Sequence, residues 1–147
     1  MRRPILASEY KKFFQNKGYI SFENLIPSDE IQSLWDKILK RHEELPEASH
    51  ENISRTIPEV LKIAYKLGKI VAELLDRKPI RFLYDMFIED LNLIRPIQDR
   101  EIALLLSRSG KGIFSTHSSH FHEGREENYL LILFTANYVN TPIIYNN

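Results

Sequence analysis

The spacing of apolar residues changes its period near residue 79. Before that point apolar residues recur every three or four positions, which is the pattern of helices with one buried face. After it they alternate, or run continuously over short stretches bounded by turn residues, as in β-strands. The pattern predicts helices from Ser8 to Gly18, from Ser28 to the residues before Pro46, and over 59–76. Strands are predicted over 19–22, 80–88, 91–94, 102–106, 113–114, 129–135 and 143–145.

Polar residues at the helix starts predict how the free backbone amides there are satisfied. Ser8 and Ser28 each precede a helical stripe, so each is expected to cap its helix. The run from Thr56 to Glu59 fits a capping box, in which two side chains bond to the first amides of the long helix.

The order of elements predicts the fold class. Helices come first and strands joined by short turns follow, so the strands are expected to pair antiparallel. We therefore predict a single α+β domain over 1–147, with a mainly helical layer over 1–78 packed on a mainly β core over 79–147.

Charge and cysteine content narrow the function classes. The 147 residues carry 20 basic and 20 acidic side chains and no cysteine. A net charge of zero argues against nucleic acid as a partner, because proteins that bind nucleic acids neutralise its phosphates with a basic face. The absence of cysteine excludes disulfides, a thiol nucleophile and thiolate-bound metals.

The sequence shows no targeting or membrane signal. No apolar run approaches the roughly 20 residues that cross a bilayer, and the N-terminal Met1–Leu6 lacks the apolar core of a secretory signal. We therefore expect a cytoplasmic protein without a membrane partner.

Three segments resemble the phytanoyl-CoA dioxygenase-like proteins. Residues 13–31 contain a helix ending in glycine, an aromatic-led strand and a Pro-Ser-Asp-Glu-Ile helix start, as in the opening of that family. Residues 78–85 resemble its first core strand, and residues 129–135 its last. The resemblance implies a double-stranded β-helix, also described as jelly-roll or cupin-like. It also implies non-haem Fe(II) and 2-oxoglutarate as cofactors, with iron held by a His-x-Asp/Glu pair and a later histidine.

The ligand pattern of that family is incomplete in this chain. No His-x-Asp or His-x-Glu lies between the strand 80–88 and the later histidines, and the nearest sequence is Ile97-Gln98-Asp99. Isoleucine has no lone pair to donate to iron. The basic residue that anchors 2-oxoglutarate in the family is also missing at its offset, and Arg125 is the nearest candidate for that anchor. The resemblance thus predicts the fold without an intact oxygenase site, with Asp99 as a residual metal-ligand candidate.

A second metal-ligand candidate is the histidine cluster His117, His120 and His122. On a strand, His120 and His122 would point to one face about 6.6–6.8 Å apart. Imidazoles there can share zinc, iron, nickel or copper, with Glu123 or Asp85 completing the site. The alternative is a polar hairpin tip beside a glycine turn.

Asp85 lies in a predicted strand between apolar neighbours, which leaves two interpretations. It can be a buried acid with a raised pKa, which would mark a functional site. It can also be a solvent-facing carboxylate or one that pairs with Arg81, which is the more common situation for a charged strand residue.

Three functions are consistent with these patterns. The first is a non-catalytic or divergent binding or regulatory protein on the oxygenase scaffold, with an unidentified small molecule or protein as partner. The second is an active metal-dependent oxygenase that uses the displaced cluster His117, His120 and His122. The third is a divalent-cation-dependent DNA-binding repressor, against which the zero net charge counts. Exposed strand edges would also allow pairing into a homo-oligomer.

Overall fold

The computed structural model describes residues 8–76, 79–89, 91, 94, 96–121 and 128–136. Three helices and five strands make up most of this part of the chain. They are α1 (Ser8–Lys17), β1 (Tyr19–Phe22), α2 (Ser28–Glu44), α3 (Pro58–Leu74), β2 (Ile80–Ile88), β3 (Glu101–Ser107), β4 (Gly112–Ser115) and β5 (Tyr129–Ala136). Two short 3₁₀ helices, Ile53–Arg55 and Ser118–Phe121, lie in the connections.

The five strands form one antiparallel sheet with the order β1-β4-β3-β5-β2. β3 and β5 lie in its centre, and their continuous apolar runs are buried on both faces. β1 comes from the helical half of the sequence and adds to one edge of the sheet, with Ile20 opposite Phe114. β2 forms the other edge of the five strands.

Each face of the sheet contributes to a separate apolar cluster. The helix face carries Leu104, Ile132 and Phe134, which pack against the buried stripes of the helices. The indole Nε1 of Trp35 in α2 also donates a hydrogen bond to the Ser107 carbonyl, at 3.0 Å. The opposite face carries a second cluster, which includes Ala103, Leu105, Leu131, Leu133 and Phe121.

A β-bulge in β2 reverses which residues face the helices. Phe82 pairs with Phe134, but Tyr84 pairs with Leu133, so Leu83 is the extra residue. The strict alternation expected along residues 80–88 would have placed Phe82 and Met86 on one face and Asp85 on the other. Because of the bulge, Asp85 and Phe87 follow Phe82 on the helix face, while Met86 joins the opposite cluster.

The predicted helix positions are close to those observed, but the predicted caps of α2 and α3 are wrong. α2 begins at Ser28 with Pro27 at the N-cap position, and no side chain bonds to its free amides. α3 has Ile57 at the N-cap and begins with Pro58, whose fixed φ suits the first helical position. The Thr56 hydroxyl instead donates to the Ile53 carbonyl at 3.2 Å, within the preceding 3₁₀ turn.

The predicted α+β class and antiparallel pairing are confirmed. Closure into a jelly roll stays a prediction, since residues 143–145 lie outside the described residues. Of the candidate strand 91–94, the described Leu91 and Ile94 are not in a strand and pack on the opposite face. Within the described ranges, none of the helices combines the length and apolarity needed to traverse a bilayer.

Candidate functional site

The predicted histidine cluster is described only at His117. Its side chain is exposed after β4, and its Nδ1 accepts the Ser119 backbone N–H at 3.2 Å and lies 2.7 Å from Ser119 Oγ. The His120 side chain and the whole of His122, Glu123 and Arg125 lie outside the described residues. Metal or co-substrate binding by these residues therefore stays a prediction.

Asp99 and Ile97 lie close in sequence but differ in burial. Asp99 is an exposed turn residue next to Arg100, which has a positive φ of 69°. Ile97 is half-buried and packs with the apolar cluster on the opposite face of the sheet. The Ile97 side chain thus contributes to hydrophobic packing.

The opposite face is mostly apolar in the described part of the sheet, and Ser115, which pairs with Ala103 at the end of β4, is a buried polar residue on it. Polar side chains occur towards its ends, where the pairing places Arg81, Thr135 and Glu101 in one row across three strands. Glu101 Oε1 accepts the Gln98 backbone N–H at 2.8 Å, so this carboxylate holds the turn that precedes β3.

Asp85 is fully buried on the helix face, which excludes the predicted solvent-facing position. Its Oδ1 accepts the backbone N–H of Ser54 at 3.2 Å, at the start of the 3₁₀ helix Ile53–Arg55. Burial raises the pKa of the Asp85 carboxyl, and hydrogen bonds from Ser54 and Ile53 partly oppose that rise. The side chain therefore anchors a short helix to β2, and the described structure places none of the predicted histidines beside it.

Two histidines and a glutamate that the sequence patterns did not single out converge at the edge of β2. Nε2 of His42 lies 3.4 Å from Oε2 of Glu89, and Nε2 of His50 lies 3.8 Å from Oε1 of the same carboxylate. One ligand atom from each of the three residues lies within 4.8 Å of the others. We call these three residues the edge triad.

Three different elements deliver the edge triad. His42 is in the last turn of α2, His50 is in the connection to the 3₁₀ helix, and Glu89 directly follows β2. The Phe87 ring lies beneath both imidazoles, with centroids 5.0 Å from His42 and 5.4 Å from His50. No motif spacing links these positions, and only the pairing of residues 50–52 with β2 could have indicated that they meet.

A groove between α2 and α3 has a volume of about 730 Å³ and is lined by charged residues of both helices together with Leu34, Ile63 and Tyr65. Lys66 pairs with Glu30 across it at 3.1 Å, and Lys37 bonds to Glu59 nearby. The hydrogen bond from Lys37 lowers the pKa of the Glu59 carboxyl. These pairs join the two helices and balance their charge, so the groove does not present a basic face.

Comparisons with known proteins find similarity over most of the chain. A family model described as a domain of unknown function, DUF5070, matches residues 1–126. No curated protein matches the sequence. A structure of CT296 from Chlamydia trachomatis has 24% identity and a TM-score of 0.73, over 93% of this chain and 100% of the other. A structure of selenomethionine-labelled CT296 from the same organism has 25% identity and a TM-score of 0.74. It covers 92% of this chain and 99% of the other.

A more distant structure carries ligands. HygX from Streptomyces hygroscopicus, crystallised with nickel and 2-oxoglutarate bound, has 11% identity and a TM-score of 0.63, over 96% of this chain and 98% of the other. At this level of identity the likeness shows a shared fold.

Proposed function

The chain belongs to the DUF5070 family, and from that premise we propose that it is a binding or regulatory protein that does not catalyse 2-oxoglutarate-dependent oxygenation. Its scaffold is similar to that of HygX, which binds nickel and 2-oxoglutarate. What this chain shares with that structure is the fold, while the first iron-holding side chain implied by the family resemblance is replaced by Ile97.

The observation that carries the proposal is that residue 97 is an isoleucine and packs in the opposite-face cluster. An oxygenase of the resembled family has a histidine there to hold iron. Ile97 instead packs with Leu105, Leu131 and the other apolar residues of the opposite face. Placing a hydrated Fe(II) among these side chains would cost several kcal/mol, because they offer the ion no ligands in exchange for its water.

The residues described on this face also offer 2-oxoglutarate a poor binding site. Its carboxylates need a metal and a fixed cation. Arg81, the basic residue of the described opposite face, is in a row with Glu101, whose carboxylate would repel the co-substrate. The residues described on this face therefore do not fit iron with 2-oxoglutarate.

The proposal is tested by 2-oxoglutarate turnover and binding in the full chain. With Fe(II), ascorbate and oxygen, we expect no succinate above the protein-free background. Calorimetry with Ni(II)-loaded protein should also show no binding of 2-oxoglutarate. HygX provides the positive control for binding.

Iron-dependent formation of succinate, or saturable binding of 2-oxoglutarate that persists when the edge triad is disrupted in Glu89→Gln, would overturn the proposal. If the triple variant His117→Ala/His120→Ala/His122→Ala then lost that activity, the displaced histidine cluster would be the oxygenase site.

A further inference from the structure

We propose that His42, His50 and Glu89, the edge triad, bind one divalent transition-metal ion of the zinc, nickel or cobalt class. This site lies on the helix side of the sheet, away from Ile97 and the opposite-face cluster. The inference does not depend on the proposed function, because a metal at this edge is compatible with either outcome of the turnover assay.

The distances within the edge triad are close to those of a coordinated set. Ligand bonds of about 2.0–2.2 Å at tetrahedral or octahedral angles place neighbouring ligand atoms about 3.0–3.5 Å apart. The two imidazole-to-carboxylate separations are 3.4 and 3.8 Å, and all three atoms lie within 4.8 Å of one another. Small side-chain rotations are therefore enough to close the triad around an ion.

The donor set selects the class of metal. Two imidazole nitrogens and one carboxylate suit zinc, nickel, cobalt or iron, whereas magnesium and calcium prefer all-oxygen sites. The side chains of His42, His50 and Glu89 are 30%, 29% and 49% exposed. Solvent thus reaches the ligand atoms, and water can complete the coordination.

The edge triad is held in place by its surroundings. The His50 carbonyl accepts the Phe87 N–H at 2.9 Å, and the Asp85 carbonyl accepts the Asn52 N–H at 2.6 Å. The loop that carries His50 is thereby paired to β2, the strand that leads into Glu89. The ligands are therefore largely preorganised, which reduces the entropic cost of binding.

The orientation of His42 also favours coordination through Nε2. Its Nδ1 is buried and has no hydrogen-bond partner among the described residues. The ring nitrogen that is aimed at another polar group is Nε2, which faces Glu89. A neutral imidazole with its proton on Nδ1 leaves the Nε2 lone pair free to bind a metal.

A plain ion pair between histidine and glutamate is the competing explanation. An exposed pair of this kind contributes little free energy and would need no third residue. A shared cation would instead engage both imidazoles and the carboxylate at once, which is what the convergence of all three side chains allows.

Metal binding to the purified full chain tests the site. After chelator treatment, Zn(II), Ni(II) or Co(II) is titrated by calorimetry, and the visible spectrum of Co(II) reports its ligands. We expect one equivalent bound, with Mg(II) and Ca(II) failing to compete. His50→Ala and Glu89→Gln should each weaken binding by at least about 100-fold, because loss of even an outer partner costs 10- to 100-fold.

The matched control is the triple variant His117→Ala/His120→Ala/His122→Ala, which should keep the affinity and the Co(II) spectrum of the wild type. Circular dichroism in chelator establishes that each variant is folded, and Glu89→Gln keeps the shape of the side chain. Absence of stoichiometric binding would overturn the site. Equal affinity in His50→Ala and the wild type, or loss of binding in the control variant, would do the same.

Discussion

At the scale of single residues, burial decides what each side chain does. Asp85 and Asp99 are both candidate ligands in the sequence, but Asp85 is fully buried and Asp99 is exposed. The buried carboxylate bonds to the start of a 3₁₀ helix, with its Oδ2 unpartnered among the described residues. Such a group loses solvation that its hydrogen bonds only partly replace, which is why its pKa rises.

The raised pKa of Asp85 predicts how stability depends on pH. Because the folded state holds the proton over a range where the unfolded chain has lost it, the stabilisation is full below the unfolded pKa of about 4 and is lost as pH rises through the folded-state pKa. Asp85→Asn removes this dependence. Urea unfolding should therefore show the free-energy difference, wild type minus variant, falling as pH rises.

Asp36→Asn, at an exposed position of α2, controls for the change in net charge. A difference for Asp85→Asn that grew with pH would contradict the prediction, since it would mean that folding favours the ionised carboxylate.

At the scale of elements, the edge strand β2 illustrates how a connection can protect a sheet. Unpaired backbone groups on an edge strand are available to other chains. Here residues 50–52 bond to Asp85 and Phe87, with a bridge between Glu51 and Met86, and so cover part of that edge. A homo-oligomer that formed by pairing through this stretch of β2 would have to displace residues 50–52.

Arg41→Ala should loosen this cover without unfolding the protein. Arg41 donates from Nε to Thr56 Oγ1 at 3.0 Å and from Nη1 to the Ser49 carbonyl at 3.3 Å, which ties α2 to the connection. We expect the Asn52 and Phe87 amides to exchange hydrogen for deuterium faster, with a global destabilisation of about 1 kcal/mol.

The neighbouring Lys40→Ala is the matched control, because Lys40 is 74% exposed and its ion pair within the described ranges is with Glu44 of its own helix. Unchanged protection of both amides in Arg41→Ala would show that the connection is held without this side chain.

At the scale of the whole molecule, both faces of the sheet are covered. Helices cover one face, and Phe121 with the loop residues Leu91, Ile94 and Ile97 covers part of the other. The sequence of a central strand that is buried on both faces is a continuous run of apolar residues, whereas a half-exposed strand alternates apolar and polar residues. The seven residues of β3 are all buried, as this arrangement requires.

Two adjacent substitutions in β3 test whether both faces are packed. Leu104 faces the helices and Leu105 the opposite cluster, with exposures of 0% and 2%. Leu104→Ala and Leu105→Ala should each destabilise the protein by about 2–5 kcal/mol in denaturant unfolding. The control Leu45→Ala, at a 54% exposed site, should change stability by less than about 0.5 kcal/mol. A small effect for Leu105→Ala alone would mean that the opposite face is open.

Metal binding at the edge triad should stabilise the whole fold through linkage. An ion that binds only the folded state adds about 2.7 kcal/mol to the unfolding free energy at a free concentration of 100 times Kd. Chemical unfolding with and without Zn(II) should show this gain in the wild type and in the triple variant His117→Ala/His120→Ala/His122→Ala. The same gain in Glu89→Gln would assign the stabilising ion to another site.

The local pattern of apolar residues was enough to predict the helices, most strands and the α+β class, because helix and strand periods are properties of neighbouring residues. The prediction that Ile97 stands in place of an iron ligand came from the family resemblance, which depends on residue identities and needs no three-dimensional structure. Which face Asp85 occupies depended on a one-residue bulge, and the meeting of His42, His50 and Glu89 depended on how a loop pairs with β2. Long-range register and loop pairing arise from the packing of distant segments, so the three-dimensional structure alone revealed the edge triad.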